Sequence, residues 1–225
     1  MKFKSFILLL STFSFAAVEA QQLLNFLDRT GGGVLERNRL EKKEKSIVGT
    51  PYSIEKFMPA DLEGAGEVVM VRYNNQADEI EIEYADKILI LPKKPEYGKV
   101  SLRNGKTITL VNYLDVRKAN IYGYLYEILV GKKVNLYLKE RSVIIPEKES
   151  QNGYDAPSPA RYSRTNDEYY FTYKENIVSF PDSKKELLAL YPDKQKEIED
   201  FLKTNKLKFK SEADLIKIAT FLDSL

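Results

Sequence analysis

Residues 79–84 read Glu79-Ile80-Glu81-Ile82-Glu83-Tyr84, and this strict alternation decides the fold. A side-chain period of two puts Ile80, Ile82 and Tyr84 on one face of a strand and the three glutamates on the other. The stretch therefore predicts a sheet with one wet side, its glutamates forming a solvated charge ladder beside Lys99 and Arg103 of nearby strands. The same rhythm runs through 67–145, broken every six to twelve residues by turn signals. Lys99-Val100-Ser101-Leu102-Arg103 alternates, Asn104-Gly105 supplies the dipeptide of a two-residue type I′ turn, and Thr107-Ile108-Thr109-Leu110 starts the return strand.

Upstream of the glutamates, 68–73 is strand-like, and Asn74 to Asp78 make a turn whose asparagines tolerate left-handed geometry. Downstream, Ile88-Leu89-Ile90-Leu91 is apolar on both faces, which predicts cover on each side. Residues 121–130 carry Tyr122, Tyr124 and Tyr126 on one face. Gly131-Lys132 then turns into Val134-Asn135-Leu136-Tyr137-Leu138, a strand that continues toward Ile145. After a loop at 151–167, the segments 169–173 and 177–180 form one more pair. Eight or nine strands in hairpin order predict an antiparallel β-meander or a barrel-like sheet.

The flanks read differently. Residues 1–20 have the form of a secretory signal peptide: Lys2 and Lys4, an apolar core over 6–17, and Val18-Glu19-Ala20 at the cleavage site. That core is shorter than the roughly 20 residues needed to span a bilayer, so no transmembrane segment is expected after cleavage. Residues 21–45 read as a flexible arm, broken by Gly31-Gly32-Gly33 and almost all charge from Glu36 to Lys45. Residues 46–181 form the β-rich domain, whose irregular start at 46–66 is either an edge strand or a plug over one end of the sheet.

From 182 to 225 the period changes to that of helices. Ser183 with Glu186 is a capping box, Pro192-Asp193 opens a second helix ending at a left-handed Asn205, and Ser211 with Asp214 caps a third. The apolar stripes Leu187/Leu188/Leu190, Ile198/Phe201/Leu202 and Leu215/Ile218/Ala219/Leu222 need a surface, so this helical tail is expected to pack on the sheet. The class is α+β: an antiparallel meander or barrel-like sheet followed by C-terminal helices.

With the export signal, the tyrosine-rich meander and the ending Phe180-Pro181-Asp182-Ser183-Lys184-Lys185-Glu186-Leu187-Leu188 through Lys203-Thr204-Asn205-Lys206-Leu207 to Ser224-Leu225, the chain resembles uncharacterised exported proteins of Bacteroidota. The resemblance implies a cell-envelope setting, periplasmic or extracellular, and carries no activity or site residues with it.

Composition narrows the chemistry. With no histidine and no cysteine, Ser-His-Asp and Cys-His catalysis, disulfides and His- or Cys-ligated metals are all excluded. Ser53-Ile54-Glu55-Lys56 matches the S-x-x-K of penicillin-recognising enzymes but lacks their S-D-N and K-T-G elements, and reads as a surface turn. Gly105-Lys106-Thr107 lacks the first glycine of a phosphate-binding loop at its required spacing and is followed by strand. Lysines interleaved with glutamates and a net charge of +2 give no basic stripe, so no nucleic-acid partner is expected.

Tyrosine is the one enrichment, 15 Tyr with 11 Phe and no Trp. Packing within the sheet accounts for it first; a recognition face at Tyr122, Tyr124 and Tyr126, joined by Tyr137, is the binding candidate. No catalytic residue, metal or cofactor is expected. The reading is a non-catalytic exported protein whose partner is another envelope protein. The alternatives are a small-ligand or lipid-binding β-cup closed by the helical tail, and a carboxylate-based hydrolase.

Overall fold

The computed structural model describes residues 35–36, 47–63, 65, 68–84, 87–149 and 158–225. The expected signal peptide and all of the arm except Leu35 and Glu36 lie outside the described residues. The described strands are β1 (Leu35–Glu36), β2 (Met58–Leu62), β3 (Val68–Asn74), β4 (Glu79–Tyr84), β5 (Lys87–Ile90), β6 (Lys99–Leu102) and β7 (Thr107–Leu114). They continue with β8 (Asn120–Leu129), β9 (Leu136–Lys139), β10 (Ser142–Ile145), β11 (Arg161–Arg164), β12 (Glu168–Tyr173) and β13 (Asn176–Ser179). Three helices follow: α1 (Lys184–Leu190), α2 (Gln195–Thr204) and α3 (Glu212–Ser224).

The chain divides into two compact units, one built from the described residues up to Thr107 together with Arg141–Thr165, the other from Ile108–Glu140 and Asn166–Leu225. The division runs through the stretch 46–181 that the sequence groups as one domain, and it joins the helical tail to the later strands.

In the first unit the strands lie in the order β1-β5-β4-β3-β2-β6, with antiparallel ladders throughout. Within the irregular start of the domain, β2 is not an edge strand: it sits between β3 and β6, with Ala60 facing Val69 on one side and Leu102 on the other. From the arm, Leu35 and Glu36 pair with Ile90 and Leu89 at the edge of β5. Val69, Val71, Tyr73, Ile80 and Ile82 are buried on one face, as the alternation requires. A separate ribbon, β10 with β11, is built from residues read as the end of one long strand and the middle of a loop.

Two turns depart from expectation. Asn104-Gly105 closes a three-residue loop: the Gly105 amide donates to Leu102 O at 3.0 Å, Leu102 N donates to Lys106 O at 2.8 Å, and Gly105 alone is left-handed (φ 88°). This is the type I turn with a following bulge, which needs one glycine where the I′ turn needs two left-handed residues. In the β3–β4 turn the left-handed residue is Asp78 (φ 58°), while Asn74 Oδ1 accepts the amides of Gln76 and Ala77. Both asparagines there act through hydrogen bonds.

The second unit lays β7-β8-β9-β12-β13 in open order and covers one face with the helices. Because Leu136 pairs with Phe171, and Phe171 with Val178, these side chains share a face. Val134, Leu136, Phe171 and Phe180 on that side pack with Leu187, Ile198, Leu202, Leu215, Ile218, Ala219 and Leu222 from α1, α2 and α3. The opposite face carries Tyr113, Leu125, Tyr137 and Tyr170, with Tyr113 edge-on to Tyr170 at 4.8 Å. Neither row of strands closes on itself, so the architecture is the meander and not the barrel.

Helix ends follow local chemistry. Ser183 Oγ accepts the Glu186 amide at 3.3 Å, and Glu186 Oε2 accepts the Asp182 amide, one residue earlier than a capping box places it. Asn205 stays right-handed (φ −91°) and bonds Phe201 O through its side chain, and the left-handed residue is Lys206 (φ 52°). Ser211 holds the N-cap position of α3 without a side-chain cap bond; the Asp214 carboxylate instead accepts the Lys208 amide at 3.1 Å.

Candidate functional site

Tyr122, Tyr124, Tyr126 and Tyr137 do not form one open row. Tyr126 is opposite Leu138 and Glu127 opposite Tyr137, which puts Tyr137 on the face away from the other three. Tyr124, Tyr126 and Tyr137 are buried, and Tyr122 alone keeps an exposed ring. The strand they occupy is covered on both sides, because Leu125 between them is buried too. Sequence alternation correctly separates the faces of a strand but does not say which face meets water.

The glutamate ladder is covered at its middle member, while Glu83 stays exposed. Glu81 is fully buried, and its carboxylate receives the Arg72 guanidinium through Nε (3.1 Å) and Nη2 (2.6 Å), the Asn74 amide (3.0 Å) and the Tyr52 hydroxyl (3.0 Å). The segment above it is stitched down by Asn75, whose amide donates to Pro51 O and whose side chain bonds both Ser53 N and Ser53 Oγ. The Arg72 guanidinium lies over two rings, 3.7 Å from the centroid of Tyr52 and 4.4 Å from that of Phe57. A carboxylate offers about four acceptor positions, and protein donors take them here. Glu81 thus organises the fold and has no lone pair left to ligate calcium or take a substrate proton. Ser53 of the S-x-x-K match serves the same clasp.

Open chemistry lies elsewhere. In the β10–β11 ribbon Ile145 pairs with Arg161 and Val143 with Ser163, while Val48 bridges Arg161 from the far side in parallel. Cross-strand partners share a face, so Val48, Arg161, Ile145 and Val143 form one patch over three neighbouring segments. Its apolar members are unusually open: Val48 is 56%, Val143 43% and Ile145 37% exposed, and Arg161 is exposed at its centre. Gly49 permits the approach of Val48, because its left-handed backbone (φ 88°) turns the chain beside Tyr162, where Val48 exchanges hydrogen bonds with Ala160 O and Tyr162 N. The run Val143-Ile144-Ile145 before Pro146 was the signal in the sequence, read there as a strand continuing from Leu138.

In the second unit a cleft of about 660 Å³ is lined by Asp167, Glu168, Tyr169, Asp182, Phe209 and Lys210 among others. Here burial and the neighbouring Glu212 carboxylate push the Tyr169 phenol well up, so it stays protonated and donates to Glu212 Oε2 at 3.2 Å. Glu168 is bonded by the Tyr170 hydroxyl at 2.7 Å. Among the described residues no group of three histidine, cysteine, aspartate or glutamate side chains is placed to hold a metal ion. No described helix is long and apolar enough to cross a membrane.

No protein-family model, no curated protein and no solved structure matches this chain.

Proposed function

We propose that this chain is an exported, non-catalytic protein of the cell envelope that works by protein–protein contact, using the Val48, Val143 and Ile145 face of the β10–β11 ribbon. The observation that carries the reading is the patch itself: three β-branched side chains, each more than a third exposed, surround one arginine. Contiguous exposed apolar surface marks a docking site, and arginine is among the residues enriched in such interfaces. Arg161 defines the partner's chemistry, a protein surface presenting apolar side chains around a carboxylate. The export signal read in residues 1–20 and a residue set without histidine or cysteine support the envelope setting and the non-catalytic role.

The β-cup alternative loses its motive in the second unit, where helix side chains fill the apolar face that a cup would keep open. The test of the leading reading is capture of an envelope polypeptide by the immobilised protein, compared with a Val143→Lys, Ile145→Lys variant. Loss of capture in the variant supports it. A purified protein that turns over a substrate at a rate abolished by one point substitution ends it.

A further inference from the structure

The second unit also holds a cleft of about 430 Å³ between the β12–β13 turn, the turn at 131–134 and the ends of α1 and α3. Its floor is apolar, with Val134, Leu190 and Leu222, and its rim carries Lys133, Lys174 and Lys194 against Asp193 and the carboxylate of Leu225.

The walls are fixed before any ligand arrives. The Tyr173 hydroxyl donates to Leu190 O at 2.7 Å, tying the hairpin to α1, and the Tyr173 ring meets Tyr191 edge-on at 5.5 Å. Across the cleft the Asp223 carboxylate accepts the amides of Lys132, Lys133 and Val134 at 2.6 to 3.1 Å, which ties it to the turn, and it also faces the charge of Lys133. Lys194 pairs with Glu197 at 2.9 Å. Lys174 occupies a left-handed turn position (φ 48°) that asparagine or glycine fills without strain, and it brings its ammonium within 5.2 Å of the Tyr173 ring beside the cleft.

We infer that this cleft binds a single-chain amphiphile with a carboxylate head, its alkyl chain on Val134, Leu190 and Leu222 and its head between Lys133 and Lys174. The charge complementarity is that of the rim, and the size is that of a small ligand: the cleft sits near the lower end of the roughly 300–1,000 Å³ typical of such sites. That volume suits one alkyl chain and not the two chains of a phospholipid.

The experiment is a titration of decanoate into the isotope-labelled chain, followed by the amide signals of Lys133, Val134, Thr172, Lys174 and Leu222. Saturable shifts at these positions are expected, with decanol binding about tenfold more weakly because it lacks the charge. A Lys133→Glu, Lys174→Glu variant with unchanged spectral dispersion should lose about tenfold in affinity, and Thr172→Phe, which fills the cleft without touching a charge, should abolish the shifts. Absence of saturable shifts, equal binding of decanol, or an unaffected charge-reversed variant overturns the inference. So does an equal response to phosphatidylglycerol vesicles, which would make the ligand a lipid surface.

Discussion

Arg72 Nη2 lies 2.6 Å from Glu81 Oε2, with the Glu81 side chain wholly buried and that of Arg72 only 15% exposed. Two charges drawn from neighbouring strands, Arg72 and Glu81 being register partners, are therefore paired inside the first unit under the lid of Tyr52 and Phe57. Such a pair contributes little net stability over an apolar substitute, yet removing one member strands the other. Arg72→Met is expected to destabilise the protein by about 3–5 kcal/mol, whereas Arg72→Met combined with Glu81→Leu loses less than the sum of the two single changes. Urea unfolding of the three variants measures both quantities.

The pair also marks the limit of what the residues reveal by themselves. The burial of Ile80 and Ile82, the antiparallel hairpin order and the three amphipathic helices were legible, because each follows from a local period of two or 3.6, whereas whether the sheet closes does not. The burial of Glu81 was not, because its cover comes from Tyr52, 29 positions earlier in the chain. The burial of Tyr124 and Tyr126 was hidden too, since alternation does not say which face of a strand meets water. Arg161–Arg164 escaped notice as a strand because two exposed arginines around half-buried Tyr162 and Ser163 have no apolar rhythm, and its pairing with Val143 and Ile145 is what makes the exposed patch.

The tyrosines of β8 separate by stability. Tyr124→Ala is expected to cost about 3–5 kcal/mol, the range for truncating a large buried ring, while Tyr122→Ala at its exposed position should stay within about 0.5 kcal/mol of the wild type. Thermal or urea midpoints of the two variants decide the matter. Near-equal effects would contradict the placement of Tyr124 in the core.

The β12–β13 turn stores strain at Lys174 (φ 48°) and Glu175 (φ 66°), a two-residue turn with both positions left-handed and neither glycine nor asparagine present. Glu175→Gly is expected to stabilise the protein by about 1 kcal/mol through relief of that conformation. The urea midpoint should rise with an unchanged dependence on denaturant.

Asp223 gives the second unit an acid-sensitive joint. The amides of Lys133, Val134 and Lys132 hold its carboxyl below the usual carboxylate range. A depressed folded pKa means that the ionised group stabilises the fold at neutral pH. Its contribution begins to fade as the pH falls to the unfolded value, about 3.9, and is gone once the pH passes below the folded one. Asp223→Asn should lower stability at pH 7 and flatten the loss of stability under acid. Gly131→Ala strikes the same joint, since an added Cβ would stand 2.6 Å from Asp223 Cγ and also collide with Val134 O; a cost of about 1–3 kcal/mol is expected.

The role of the β10–β11 ribbon is tested most directly by placing a photo-crosslinking residue at position 145, and separately at exposed Tyr122, in the full chain expressed in its own cells. A protein docked on the Val48, Val143 and Ile145 face gives one discrete crosslinked band from position 145, absent from position 122 and lost when Arg161→Glu is added. No band from 145, or the same bands from both positions, would contradict docking at this face.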